Sequence, residues 1–122
     1  MELEFNIKDL VWNLYFFDPY DPPENSDLNE NVCGKTQYVD NSIWLNNTMK
    51  DPQLYRTIVH ELVHAFRWTY GCVSDFEISN IPTCELEEII ANTIETHGKD
   101  IFKLADFIFD TIVSQRDTEE NI

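Results

Sequence analysis

Basic residues are scarce in this chain. Its 122 residues include 8 Lys and Arg against 23 Asp and Glu, and the formal net charge is −15. Such a surface repels the phosphate backbone of nucleic acids and anionic lipid surfaces, so we expect neither nucleic acid nor membrane as a partner. It attracts basic segments of peptides or proteins instead. A high charge also keeps a small domain in solution, so by itself it identifies no function.

Long apolar runs are missing as well. No stretch approaches the roughly 20 apolar residues that cross a bilayer, and residues 1–10 lack the basic and then apolar segments of an export signal. Cysteine is limited to an odd number of residues, Cys33, Cys72 and Cys84. We therefore expect reduced thiols in a cytoplasmic protein. Zinc ligation by Cys72 and Cys84 is an alternative, although they form no close Cys-x-x-Cys pair.

The first third of the chain favours strands. Residues 10–17 are aromatic and β-favouring and predict a strand, and the Pro-, Asp- and Asn-rich stretch 18–31 predicts a loop. Segments 35–39 and 42–45 flank a plausible two-residue turn, Asp40-Asn41, and predict a hairpin. The strand over 42–45 is expected to be short.

Helices are expected in the remainder. Asp51 and Pro52 are favourable at a helix start, and apolar residues recur at helical spacing through about Tyr70. Thr83 can cap a second helix, which is predicted from about Cys84 or Glu85 to Thr96, and Gly98 allows a break before a third, amphipathic helix. The sequence thus predicts an α+β domain with about three strands followed by three helices.

The domain boundary is drawn near the C-terminus. Residues 1–116 are predicted to form a single domain, since the length fits one hydrophobic core. Residues 117–122 are polar and are predicted to form a frayed tail.

Two of the three histidines lie in one short motif. Residues 60–64 read His-Glu-Leu-Val-His inside the first predicted helix. Residues four apart project from the same helix face, so His60 and His64 can bind one metal ion. Glu61 lies about 100° further round the helix, where a general base for an activated water molecule belongs. We predict one Zn²⁺ ion bound by His60 and His64, with Glu61 as the catalytic base of a zinc metalloendopeptidase.

A catalytic zinc ion needs a third protein ligand. Metzincins extend the motif with Gly and His, and this chain has Arg67 and Tyr70 at those positions, so that extension is excluded. Glu88 and Asn92 lie four residues apart on the second predicted helix and share a face. We predict Glu88 as the third ligand and Asn92 as the acceptor that orients a zinc-bound histidine. The alternatives as ligand are Asp75, Glu77, Glu85, Glu87 and His97.

Residues 57–66 (TIVHELVHAF) and 87–92 (EEIIAN) resemble gluzincin-type zinc peptidases, more narrowly the short phage-associated metallopeptidases related to the ImmA/IrrE group. The resemblance covers roughly residues 35–110. It implies a small sheet, an active-site helix, a glutamate-bearing helix and, if the chain is phage-encoded, activity in the host cytoplasm. It also implies that the edge strand before the active-site helix holds a peptide by strand addition, here through Ser42, Ile43, Trp44 and Leu45.

The predicted reaction is hydrolysis of a peptide or protein substrate, with basic segments favoured by the net charge. Tyr55, Tyr70 or His97 could donate a hydrogen bond to the developing oxyanion. His97 is otherwise a substrate-facing or plain surface residue. The alternative function is an acidic, phage-type binding or inhibitor protein with a structural or vestigial zinc site. Neither the substrate nor the oligomeric state follows from the sequence.

Overall fold

The chain forms an α+β domain, as predicted, with a four-stranded mixed sheet and two helices. The computed structural model describes residues 2–71 and 82–120. In chain order the elements are β1 (Glu2–Ile7), β2 (Leu10–Phe17), β3 (Gly34–Gln37), β4 (Ser42–Asn46), α1 (Asp51–Gly71) and α2 (Thr83–Glu120).

The first strand is an addition to the predicted sheet. β1 pairs antiparallel with β2 through a tight turn in which Lys8 has a positive φ of 55°. Its sequence, ELEFNI, alternates exposed polar residues with Phe5 and Ile7, which are buried. That alternation is itself a strand signal, which could have predicted the element.

The predicted antiparallel pairing of segments 35–39 and 42–45 is confirmed, but residues 38–41 connect Gln37 to Ser42 in place of the expected two-residue turn, and the second strand is not at the edge of the sheet. The strand order is β1-β2-β4-β3, with β4 parallel to β2 and antiparallel to β3. The expectation that Ser42–Asn46 offers a free edge is therefore wrong, because both sides of β4 are hydrogen-bonded to neighbouring strands. Strand addition cannot occur along Ser42, Ile43, Trp44 and Leu45. The edge strand on this side of the sheet is β3.

Both helices pack on the same side of the sheet. Ile43 and Leu45 of β4 are buried against Leu54, Ile58 and Leu62 of α1 in one continuous core. α2 adds a stripe of buried residues at helical spacing, namely Ile101, Ala105, Ile108 and Ile112. The repeat of apolar residues every three to four positions is why both segments form helices that bury one face.

The two C-terminal helices expected from the sequence are a single helix, α2, of 38 residues. Gly98 does not interrupt it, because a glycine costs a helix interior only about 1 kcal/mol and the apolar stripe continues on both sides. The helix runs through Glu120, beyond the boundary predicted at residue 116. Within the described ranges, no helix combines the length and apolar character needed to cross a membrane.

Candidate metal centre

His60 and His64 lie together on the side of α1 that faces away from the core. The apolar residues Ile58, Leu62 and Ala65 are buried and fix the orientation of the helix. His60 is exposed over 68% of its side chain, and His64 is half-buried. The exposure leaves one side of this histidine pair open to solvent.

The two imidazoles converge on one point. The Nε2 atoms of His60 and His64 are 3.3 Å apart, and the rings are inclined at 71°. Two nitrogens that each bind a tetrahedral zinc ion at about 2.0–2.1 Å stand about 3.3–3.4 Å from each other. The separation also permits a hydrogen bond in which one ring donates to the other. The two Nε2 atoms and their spacing fit two protein ligands of one zinc ion.

Glu61 is a buried carboxylate beside this pair. Its residue is 5% exposed, and its Oε2 lies 3.9 Å from His60 Nε2. The Thr36 hydroxyl donates a hydrogen bond to Glu61 Oε1 at 2.8 Å. Burial raises the pKa of Glu61 above its ordinary value, while the Thr36 hydrogen bond and the nearby His60 partly oppose that rise. A general base in a peptidase benefits from such a rise toward neutral pH.

Gly34 of β3 allows the edge strand to approach Glu61 closely. A Cβ atom on Gly34 would lie 2.8 Å from Thr57 Cγ2 and 3.0 Å from Glu61 Cγ. Gly34 is directly opposite Leu45 and Thr36 is opposite Ile43, so both face the helices. No signal in the sequence marks either residue, because the side of β3 that faces α1 follows from the register of β3 on β4.

Two clefts meet at His60. The strand-side cleft has a volume of about 440 Å³ and lies between β3 and α1, lined by Asn31, Val32, Cys33, Gly34, Gln53, Arg56, Thr57, His60 and Glu61. The helix-side cleft has a volume of about 360 Å³ and lies between α1 and α2, lined by His60, Val63, His64, Arg67, Leu86, Ile90, Thr93 and Ile94. The first is mixed in polarity and the second is mostly aliphatic. Among the residues that the structure describes, Glu61 is the one carboxylate that lines these clefts.

The structure does not bring Glu88 to the histidine pair. Leu86 and Ile90 turn toward α1, and Glu88, which stands about 200° round the helix from either, is exposed. Asn92 lines a separate depression together with His97. No group of three His, Cys, Asp or Glu side chains within residues 2–71 and 82–120 is arranged to hold a metal ion.

The third ligand therefore has no placement in the described structure. Ligation by Glu88 stays a prediction, and it requires another orientation of the first turns of α2. Glu85 and Glu87 are also exposed. The alternatives Asp75 and Glu77, and Cys72 of the predicted cysteine pair, lie outside the described residues. Cys84 is an exposed free thiol.

The predicted oxyanion donors are engaged elsewhere. The Tyr55 hydroxyl donates to Asp106 Oδ1 of α2 at 2.8 Å. Tyr70 and His97 stack on each other with ring centroids 4.0 Å apart. The linings of the two clefts at His60 include none of these residues, Tyr55, Tyr70 and His97, and they do not include Asn92.

Another donor, Arg67, lines the helix-side cleft and was not predicted to have a role at the site. Its guanidinium donates to the Tyr38 hydroxyl at 2.8 Å. Arg67 stands seven residues after His60 and three after His64, which places all three on one face of α1. That spacing is the sequence signal for its position.

Comparisons with protein-family models, with curated proteins and with solved structures find no match to this chain. The family resemblance thus rests on its quoted segments alone, and the chemistry must be argued from the site itself.

Proposed function

We propose that this chain is a zinc-dependent peptidase in which His60 and His64 hold the metal and Glu61 is the general base. The observation that carries the proposal is the 3.3 Å separation of the two Nε2 atoms beside a buried carboxylate. A zinc ion bound there supplies Lewis acidity, which lowers the pKa of a water molecule and polarises a peptide carbonyl. The proposal extends to a reducing, cytoplasmic compartment, which the free, exposed thiols of Cys33 and Cys84 support.

Glu61 performs the proton transfers. Its Oε1 accepts the Thr36 hydrogen bond, so Oε2, on the His60 side, is the oxygen that takes the proton of the attacking water. Oε2 then delivers that proton to the leaving amine. Burial supports both roles, because a carboxylate with a raised pKa is a stronger base and, once protonated, holds its proton more tightly than an ordinary carboxyl.

The outer edge of β3, with which no strand of the described residues pairs, supports binding of an extended peptide. Cys33 O accepts a hydrogen bond from Asn46 N, which makes these two residues a hydrogen-bonded pair of the β3–β4 ladder. Pairing alternates along antiparallel strands, so the N–H and C=O groups of Gly34 and Thr36 point away from β4. A substrate strand added there runs alongside Glu61, which transfers the expected strand addition from β4 to β3.

The helix-side cleft supports a preference for an aliphatic substrate side chain. Val63, Leu86, Ile90 and Ile94 form its aliphatic lining, and no carboxylate within residues 2–71 and 82–120 lines it. The net charge of −15 favours basic substrates at long range. At the site itself, an apolar side chain loses less solvation than a basic one on entering this cleft.

Glu61→Gln tests the function directly. Wild type and variant, prepared in parallel and loaded with zinc, are incubated with a mixed peptide library, and new termini are identified by mass spectrometry. We expect both proteins to hold one zinc ion, and the variant to lose cleavage by about 10²–10⁴-fold, because glutamine cannot accept the proton. Cleavage retained in the variant refutes the role of Glu61. A wild type that holds zinc and cleaves nothing in the library refutes the peptidase.

An acidic binding protein is the second candidate. The net charge of −15 favours it, as does the missing third ligand among the described residues. Zinc content and cleavage, measured on protein purified without chelator, together separate the candidates. Stoichiometric zinc with cleavage supports the peptidase, and a protein that captures basic peptides without cleaving them, with or without zinc, supports the binding module. Glu88→Ala tests the predicted third zinc ligand through the zinc content of the purified variant. Glu87→Ala is the matched control.

A further inference from the structure

Thr36 is the contact between the edge strand and the carboxylate of Glu61. Its Oγ1 lies 2.8 Å from Glu61 Oε1 and 3.2 Å from the Glu61 backbone oxygen. A hydroxyl has one proton to donate, and a charged carboxylate is the stronger acceptor, so the shorter contact is the donated hydrogen bond. This bond fixes one carboxylate oxygen and directs the other toward His60.

The backbone of the same residue belongs to the free edge of β3. Thr36 is opposite Ile43 in the register, at a position where the N–H and C=O point away from β4. Its side chain points to α1 at the same time, as the bond to Glu61 requires. One residue thus presents its main chain to an added strand and its hydroxyl to the base.

We infer that Thr36 is a positioning residue that couples the seating of a substrate strand on β3 to the orientation of the Glu61 carboxylate. The inference rests on the proposed function. A peptide paired with β3 holds the Thr36 backbone in place, and the Thr36 hydroxyl then holds Glu61 in the orientation that accepts a proton. Gly34 contributes by allowing this part of the strand to lie against Glu61 and Thr57.

Thr36→Val separates the two parts of this role. Valine keeps the shape and the backbone of the strand but removes the hydroxyl. We expect kcat to fall by between about tenfold and a hundredfold, with KM unchanged within about twofold, because the groups that bind the substrate strand remain. Thr36→Ser restores the donor and should return kcat to within about threefold of wild type. Thr111→Val, which removes an exposed hydroxyl of α2 bonded to Phe107 O, is the matched control and should leave both constants unchanged.

Crystal structures of wild type and Thr36→Val give a readout that does not depend on turnover. We expect the Glu61 carboxylate to stay within hydrogen-bond distance of Thr36 in wild type and to turn away in the valine variant. A Glu61 carboxylate that has not moved in the valine variant overturns the inference. So does a change in the valine variant that affects KM alone, and so does a Thr36→Ser variant whose kcat is as low as that of Thr36→Val. A wild type that cleaves no peptide refutes the proposed function, and the two crystal structures then still decide the positioning role.

Discussion

Replacement of Gly34 by alanine tests the close contact between the edge strand and the proposed base. The added Cβ would lie 2.8 Å from Thr57 Cγ2 and 3.0 Å from Glu61 Cγ. Carbon atoms in favourable contact are about 3.5–4.0 Å apart, so the strand or the two side chains must move by several tenths of an ångström. Such overpacking costs about 1–3 kcal/mol. Alanine also restricts the unfolded chain, which returns about 0.4–1 kcal/mol.

We therefore expect Gly34→Ala to lower the free energy of unfolding by about 1–2 kcal/mol. The assay is urea-induced unfolding of the zinc-free protein, monitored by circular dichroism and tryptophan fluorescence. The displacement should also weaken the hydrogen bond from Thr36 to Glu61, so cleavage by the zinc-loaded variant should fall together with stability.

Gly98→Ala is the matched control with the opposite sign. Among the described residues, a Cβ on Gly98 would meet only Ile94 Cγ2, at an ordinary contact distance of 3.5 Å. Alanine in a helix interior is favoured over glycine by about 0.8–1.0 kcal/mol, so this variant should be more stable than wild type. The reasoning is refuted if Gly34→Ala is as stable as wild type while Gly98→Ala shows its expected gain.

Further predictions concern the metal and the base. His60→Ala and His64→Ala should each weaken zinc binding by more than about a hundredfold, whereas His97→Ala should retain the wild-type affinity. The zinc affinities are measured by competition with a chromophoric chelator. Equal affinities in all three variants would exclude His60 and His64 as ligands. Zinc at a hundred times its Kd should stabilise wild type by about 2.7 kcal/mol, and the same addition should leave His60→Ala unchanged in thermal unfolding. The raised pKa of Glu61 means that its ionisation costs more in the folded than in the unfolded chain, so stability falls as the pH rises above the ordinary value of 4.5. Zinc-free Glu61→Gln should therefore be more stable than wild type at pH 7, and in urea titrations the difference should shrink as the pH falls toward 4.5 and vanish below it; a difference independent of pH contradicts the assignment.

The fold was predicted well where a pattern is local. The strand over Leu10–Phe17 and the helix Asp51–Gly71 match the expected segments, because composition, caps and periodicity act over neighbouring residues. Two expectations failed for a common reason. The position of β4 inside the sheet and the continuity of α2 through Gly98 depend on which elements meet across the fold.

The candidate site divides in the same way. The convergence of His60 and His64 follows from their spacing on one helix. The orientation of Glu88 does not, because it depends on which face of α2 turns toward α1, and that face is decided by Leu86, Ile90 and Ile94. Glu88 and Asn92 share one face of α2, but that face need not be the one that packs against the histidines of α1.

The sequence by itself determined the arrangement on which the proposed chemistry rests, since His-Glu-x-x-His on a helix places two imidazoles and a carboxylate on neighbouring positions whatever the rest of the chain does. The tertiary structure alone decided that Gly34 and Thr36 stand against Glu61, although 25 residues separate Thr36 from the carboxylate it holds. That contact arises from the register of β3 on β4 and the packing of α1 beneath both. Contacts between elements follow from the burial of the whole core and cannot be read from spacing along one element.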